Sequence, residues 1–192
     1  LTIAKQGYSA QFTQVFFPLY PLLVNFTHKI LNFMDPIVPG LIISNAFFFL
    51  SLFMLSKLLK LDYKKETVKW ILLFLMVFPT SFYFGSIYTE SLFFFLAISA
   101  FYTSRKKWWL LSGILGALAS FTRLFGILLL PALLWEWIQQ LKIKNEKIKT
   151  ATNTSKLSKY YLQIFHFPFS IFQSPLSLIP VGLLTYMLYL QL

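Results

Sequence analysis

The sequence predicts an all-α fold: a polytopic bundle of transmembrane helices with an amphipathic helix on its outer side near the N-terminus. Three observations carry the prediction. Of 192 residues, 57% are hydrophobic and 12% charged, against about a quarter charged in soluble domains. A water-facing domain of this length could not hide so much apolar surface in one core. Apolar runs then recur along the chain at the length of a membrane span, since a hydrocarbon core of ~30 Å asks for about 20 helical residues. Finally, Lys and Arg gather in clusters between those runs, as they do on the cytoplasmic side of spanning segments.

Taken in order, residues 1–36 read as an outer segment. Within it, Phe16-Phe17-Pro18-Leu19-Tyr20-Pro21 leads into Leu22, Leu23, Phe26, Ile30, Leu31 and Phe33, with Asn25, His28, Lys29 and Asn32 between them. That spacing predicts an amphipathic helix lying on the outer membrane surface. Residues 37–138 hold the transmembrane hairpins. Pro39 to Ser56, Val68 to Phe84 and Ser86 to Ser104 are three apolar runs, and Trp108 to Glu136 is a longer one interrupted by Thr122 and Arg123. Residues 139–175 form a Lys-, Asn- and Thr-rich loop, whose aromatic half, Tyr160 to Phe172, is expected along the membrane interface. Residues 176–192 open a further span. No internal repeat divides the chain, so it reads as a single membrane domain, and both ends look cut, as in a fragment of a longer protein.

Trp108 to Glu136 could be one long helix or a hairpin turning at Arg123, and charge decides between them. Lys57, Lys60, Lys64, Lys65 and Lys69 lie between the first two runs; Arg105, Lys106 and Lys107 follow the third. Lys142, Lys144, Lys147, Lys149, Lys156 and Lys159 follow the fourth. A hairpin puts all three clusters on one side, the cytoplasm, and leaves Lys5, Lys29 and Arg123 outside. A single helix would send the last cluster across and break the positive-inside rule. The same rule accounts for the net charge of +11, which in a soluble protein would point to nucleic acid; here no nucleic-acid partner is expected and the lipid bilayer is. Trp108, Trp109, Trp135 and Trp137 read as belt residues at that interface, and Ser112, Gly116 and Ser120 as a helix-packing stripe. The chain has no Cys, which excludes thiol chemistry. His28 and His166 stand alone without metal-ligand spacing, so neither a metal nor a cofactor is expected.

Two charged residues stand apart from the clusters. Glu90 sits at the outer start of the third run, in Tyr88-Thr89-Glu90-Ser91, and Arg123 at the tip of the second hairpin. Each arm of that hairpin has about 15 residues and so reaches roughly 22 Å at about 1.5 Å per residue, short of the ~30 Å core. The tip should therefore lie below the outer surface, where an Arg must face protein, water or an anion. One reading is a structural Glu90–Arg123 ion pair, or an Arg123 that snorkels to lipid phosphates. The other is a polar cavity in which Arg123 binds phosphate and Glu90 handles a hydroxyl proton or orients a substrate.

The run from Phe78 through Pro79-Thr80-Ser81-Phe82-Tyr83-Phe84-Gly85 to Tyr88-Thr89-Glu90-Ser91-Leu92, a short Arg/Lys turn, then Gly113 to Arg123 and Pro131, resembles the PIG-V-like mannosyltransferases of the GT-C superfamily. Tyr8 and Phe16 to Pro21 resemble that family's first outer loop. The resemblance implies an inverting transferase that moves a sugar, commonly mannose, from a polyprenyl- or dolichyl-phosphate carrier to a glycan or lipid acceptor at the outer or lumenal face. It implies a catalytic role for Glu90 and phosphate or substrate contacts for Arg123, with Lys5, Tyr8 and Tyr88 in the same set. It also implies an acidic catalytic residue shortly before Leu1, without which the fragment is expected to be inactive. The expected location is the plasma membrane in a bacterium or the endoplasmic reticulum in a eukaryote. Two other classes fit the charges: a transporter or flippase with Glu90 and Arg123 on a substrate path, and a non-catalytic subunit with a structural pair. The one-sided charges and the lack of a repeat favour the enzyme over the transporter.

Overall fold

The computed structural model describes Ile3, residues 17–31, Asp35, and residues 37–151 and 175–191. Among these the fold is all-helical. The α-helices are α1 (Leu19–Leu31), α2 (Ile37–Leu59), α3 (Lys65–Val77), α4 (Phe82–Gly85), α5 (Glu90–Arg105), α6 (Trp109–Ser120), α7 (Leu129–Ala151) and α8 (Leu178–Gln191), with 3₁₀ turns at Pro79–Ser81, Leu124–Leu128 and Pro175–Ser177. Two segments, Ile37–Leu59 and Leu124–Leu141, are long and apolar enough to cross a membrane, and the bent pair Lys65–Val77 with Pro79–Gly85 makes a third if it is one span.

Helices α2, α5, α6 and α8 pack side by side in that order. Their shared core holds Ile43, Leu92, Leu96, Ala100, Ala119 and Ile179, with Leu129 and Leu133 of α7. Small residues allow the close approach. The Ser112 hydroxyl donates to the Ala100 carbonyl across the α5–α6 contact (2.9 Å), and a Cβ on Gly116 would fall 2.6 Å from the Ile179 side chain. The stripe read from the sequence as packing is thus the seam between α5, α6 and α8. The opposite faces are apolar and exposed: Phe49, Phe53, Phe74, Val77 and Leu188 are each at least half exposed, which suits a hydrocarbon solvent.

Residues 108–136 form the expected hairpin, with unequal arms. The ascending arm α6 has 12 residues, roughly 18 Å, while the descending apolar arm runs the 18 residues from Leu124 to Leu141. α7 then continues into the basic segment as far as Ala151. The second apolar run, residues 68–84, differs from one continuous helix: α3 and the segment after it meet at 69°. Pro79 is the cause. It has no N–H to donate and forces Phe78 out of the helical region, to φ −59° and ψ 134°. The third helix starts at Glu90 rather than Ser86, because residues 86–89 form the turn that follows that break.

α1 is helical where the amphipathic pattern places it. Tyr20 and Val24 are its buried residues, docked on α2, while Phe26 and Ile30 are each 63% exposed. The aromatic stretch Tyr160 to Phe172 lies outside the described residues.

Candidate functional site

Glu90 is held by a turn that α2 braces from below. The Asn45 amide donates to the Gly85 carbonyl (3.2 Å) and the Ser86 hydroxyl to the Phe82 carbonyl (2.9 Å). Ile87 rests so close to Gly40 that a Cβ there would meet it at 3.0 Å. This turn delivers Glu90 as the first residue of α5, where the helix dipole favours a carboxylate.

Arg123 comes from the hairpin tip. After α6, the Thr122 and Arg123 amides both donate to the Ala119 carbonyl (3.0 and 3.1 Å), and the buried Thr122 hydroxyl closes on the Leu118 carbonyl (2.8 Å). Arg123 is then extended, at φ −154° and ψ 147°. The chain folds back at Gly126, where any Cβ would fall 2.4 Å from the Ala119 backbone. Only Gly can close the tip this tightly, and the extended Arg123 is left to reach across to α5.

The two side chains meet. Arg123 Nη1 donates to Glu90 Oε1 at 2.8 Å, with side-chain exposures of 35% and 27%. Glu90 Oε2 is buried without a hydrogen-bond partner among the described residues, and the remaining Arg123 N–H groups make no hydrogen bond there either. A half-buried guanidinium with donors to spare lies beside a buried carboxylate oxygen with nothing to accept. Such a pair can take a ligand that offers both an anion and a hydroxyl.

Of the other residues read from the sequence, Tyr88 lies two positions before Glu90, is half exposed, and sets its ring edge-on to Tyr83 at 5.7 Å. No side-chain hydrogen bond joins it to the pair. Lys5 and Tyr8 lie outside the described residues. Among the described residues, no three His, Cys, Asp or Glu side chains gather to hold a metal ion.

Two features escaped the sequence reading. The first lies beside the pair. The buried Tyr20 hydroxyl donates to the Gly40 carbonyl (3.0 Å) and sits 2.7 Å from the Ser44 hydroxyl, which donates to it. Burial, and more weakly the nearby Glu90 carboxylate, hold the Tyr20 hydroxyl above the usual phenol range, against the pull of the Ser44 hydrogen bond. Gly40 and Ser44, four apart in an otherwise bulky run, were the available signal. The second feature lies at the far end of the bundle. There Arg105 Nη2 pairs with Asp62 and Arg105 Nε lies 3.6 Å from Glu136, while Gln140 donates to Glu136 (3.2 Å) and to the Ser104 carbonyl (3.0 Å). In the sequence Arg105 is one cation in a basic cluster, and nothing in the spacing links it to Glu136.

An all-helical apolar protein with exposed apolar sides and a half-buried ion pair with unused donors and an unpaired carboxylate oxygen belongs to the class of membrane-embedded proteins with a polar site. The family model for Mannosyltransferase (PIG-V) matches residues 1–191, and the chain belongs to that family. Membership implies a glycosyltransferase, acting between a sugar donor and an acceptor. Comparison with curated proteins finds no match, and neither does comparison with solved structures.

Proposed function

We propose that this protein transfers mannose from a polyprenyl- or dolichyl-phosphate carrier to an acceptor hydroxyl at the outer or lumenal face of its membrane, with inversion at the anomeric carbon. The acceptor oxygen attacks that carbon, the bond from it to the carrier phosphate breaks, and the hydroxyl proton leaves to a carboxylate. The departing lipid phosphate gains a negative charge, so a cation placed beside it lowers the barrier. Arg123 is assigned to that phosphate through its spare N–H groups. Glu90, holding Arg123 with Oε1, uses Oε2 to accept the hydrogen of a substrate hydroxyl and stands ready to take its proton. Lys5, Tyr8 and Tyr88 are assigned to the surrounding phosphate and sugar contacts.

The observation that carries the reading is the half-satisfied Glu90–Arg123 pair in a chain of mannosyltransferase family. The basic clusters at residues 57–69 and 105–107, at the bundle end opposite Glu90, support the outer placement. The test is turnover: the intact protein in nanodiscs is given a polyprenyl-phosphate mannose and an acceptor mixture, and carrier phosphate release is followed. Consumption of the lipid-linked sugar is expected. Turnover of a nucleotide-linked mannose in its place would sink the donor assignment.

A further inference from the structure

The bundle end opposite Glu90 carries charge that the fold leaves unneutralised. Asp62 and Glu136 both turn to Arg105. Among the described residues every ion pair is made by an arginine, so no lysine there has a carboxylate partner. Lys60, Lys64 and Lys65 flank Asp62, Lys106 and Lys107 follow Arg105, and all five are exposed. The Asp62–Arg105 contact therefore draws two separate lysine groups to one place. It also removes the acids that would have offset them, leaving Glu66 as the remaining carboxylate beside them. Lys106 is steadied over the Tyr102 ring at 5.9 Å, which fixes its position and keeps its charge.

The aromatic residues at this level decide what anion such a surface meets. All five tryptophans lie at this level: Trp70 in the second turn of α3, Trp108 and Trp109 at the start of α6, and Trp135 and Trp137 within α7 on either side of Glu136, which faces Arg105. Trp70, Trp108 and Trp135 are 55%, 60% and 62% exposed. Exposed indoles mark the headgroup layer, so the lysines stand at the depth of lipid phosphates. We infer that the surface formed by Lys60, Lys64, Lys65, Lys106 and Lys107 around the Asp62–Arg105 pair binds the headgroups of anionic phospholipids. This surface is separate from the Glu90–Arg123 site and does not depend on its chemistry.

Because every tryptophan is at this end, indole fluorescence reports on it selectively. The intact protein is reconstituted in phosphatidylcholine containing either brominated phosphatidylglycerol or brominated phosphatidylcholine at equal mole fraction, and quenching is compared. The anionic lipid is expected to be enriched about fivefold around the indoles. The enrichment should fall away at about 1 M salt, where the Debye length is ~3 Å. It should vanish in K60Q/K64Q/K65Q/K106Q/K107Q and persist in the matching five-arginine variant and in K29Q. Equal quenching by the two lipids would overturn the inference, as would enrichment that survives the five glutamines. Displacement by millimolar soluble glycerophosphate would also overturn it, by showing a site for free phosphate rather than for a lipid surface.

Discussion

Each end of the bundle has an arginine with the same side-chain exposure, 35%, paired to a carboxylate, yet the two arrangements can do different things. Arg105 is bracketed by Asp62 and Glu136, so its guanidinium keeps no charge in excess of its own carboxylate partners. It ties the α2–α3 turn, the end of α5 and α7 together. Arg123 has one carboxylate, the pair is neutral, and donors remain on one side with an unpaired Glu90 oxygen on the other. The far end has its own orphan, Gln140 Oε1, but a neutral amide oxygen costs less to leave unpaired than a carboxylate oxygen. An arginine with two acids is a fastener; an arginine with one, held at the tip of a short arm, can receive a ligand.

The comparison is broken most directly by removing each arginine. Arg123→Ala is expected to lower turnover by about 100- to 1,000-fold, the usual scale for losing one preorganised charge donor, while Arg105→Ala keeps most activity. Equal losses in the two variants, measured as initial rates in the same nanodiscs, would erase the distinction. Glu90→Gln keeps the shape and removes the charge, and should cost about 100-fold in rate. Glu136→Gln at the far end should leave the rate near wild type.

Packing predictions sharpen how the tip is placed. Gly126→Ala pushes a methyl into the Ala119 backbone at 2.4 Å and should destabilise by ~1–3 kcal/mol, read as a lower unfolding temperature together with weaker turnover. Tyr20→Phe removes a buried hydroxyl from Gly40 and Ser44 and should cost about 1 kcal/mol, seen as easier proteolysis of α1. The smallest effect is expected for Asp62→Asn, within about 1 kcal/mol and fading with salt, since Asp62 is 48% exposed.

Much of this was legible in the sequence, for reasons that differ by element. The hairpin at Arg123 followed from charge alone, because moving six lysines across a membrane is a large penalty that no local preference offsets. The arm lengths from which a recessed tip is expected came out unequal, 12 residues against 18. The 69° break at Pro79 was hidden because hydropathy reads straight through a proline that the backbone cannot ignore. The meeting of Glu90 with Arg123 was anticipated as one possibility, since both lie at the same end. The links from Tyr20 to Ser44 and from Arg105 to Glu136 were not, because they depend on which helices become neighbours, and single-chain periodicity carries no such information.

The most direct test is a double-mutant cycle on Glu90→Gln and Arg123→Ala, with turnover and unfolding temperature measured for each variant in one lipid. If the pair is the transfer site, both singles and the double lose about 100-fold or more in turnover, and the double stays folded at a temperature close to the singles. If the pair is only a fastener like that at Arg105, the double mutant recovers both stability and turnover relative to the singles, and that recovery would contradict the account.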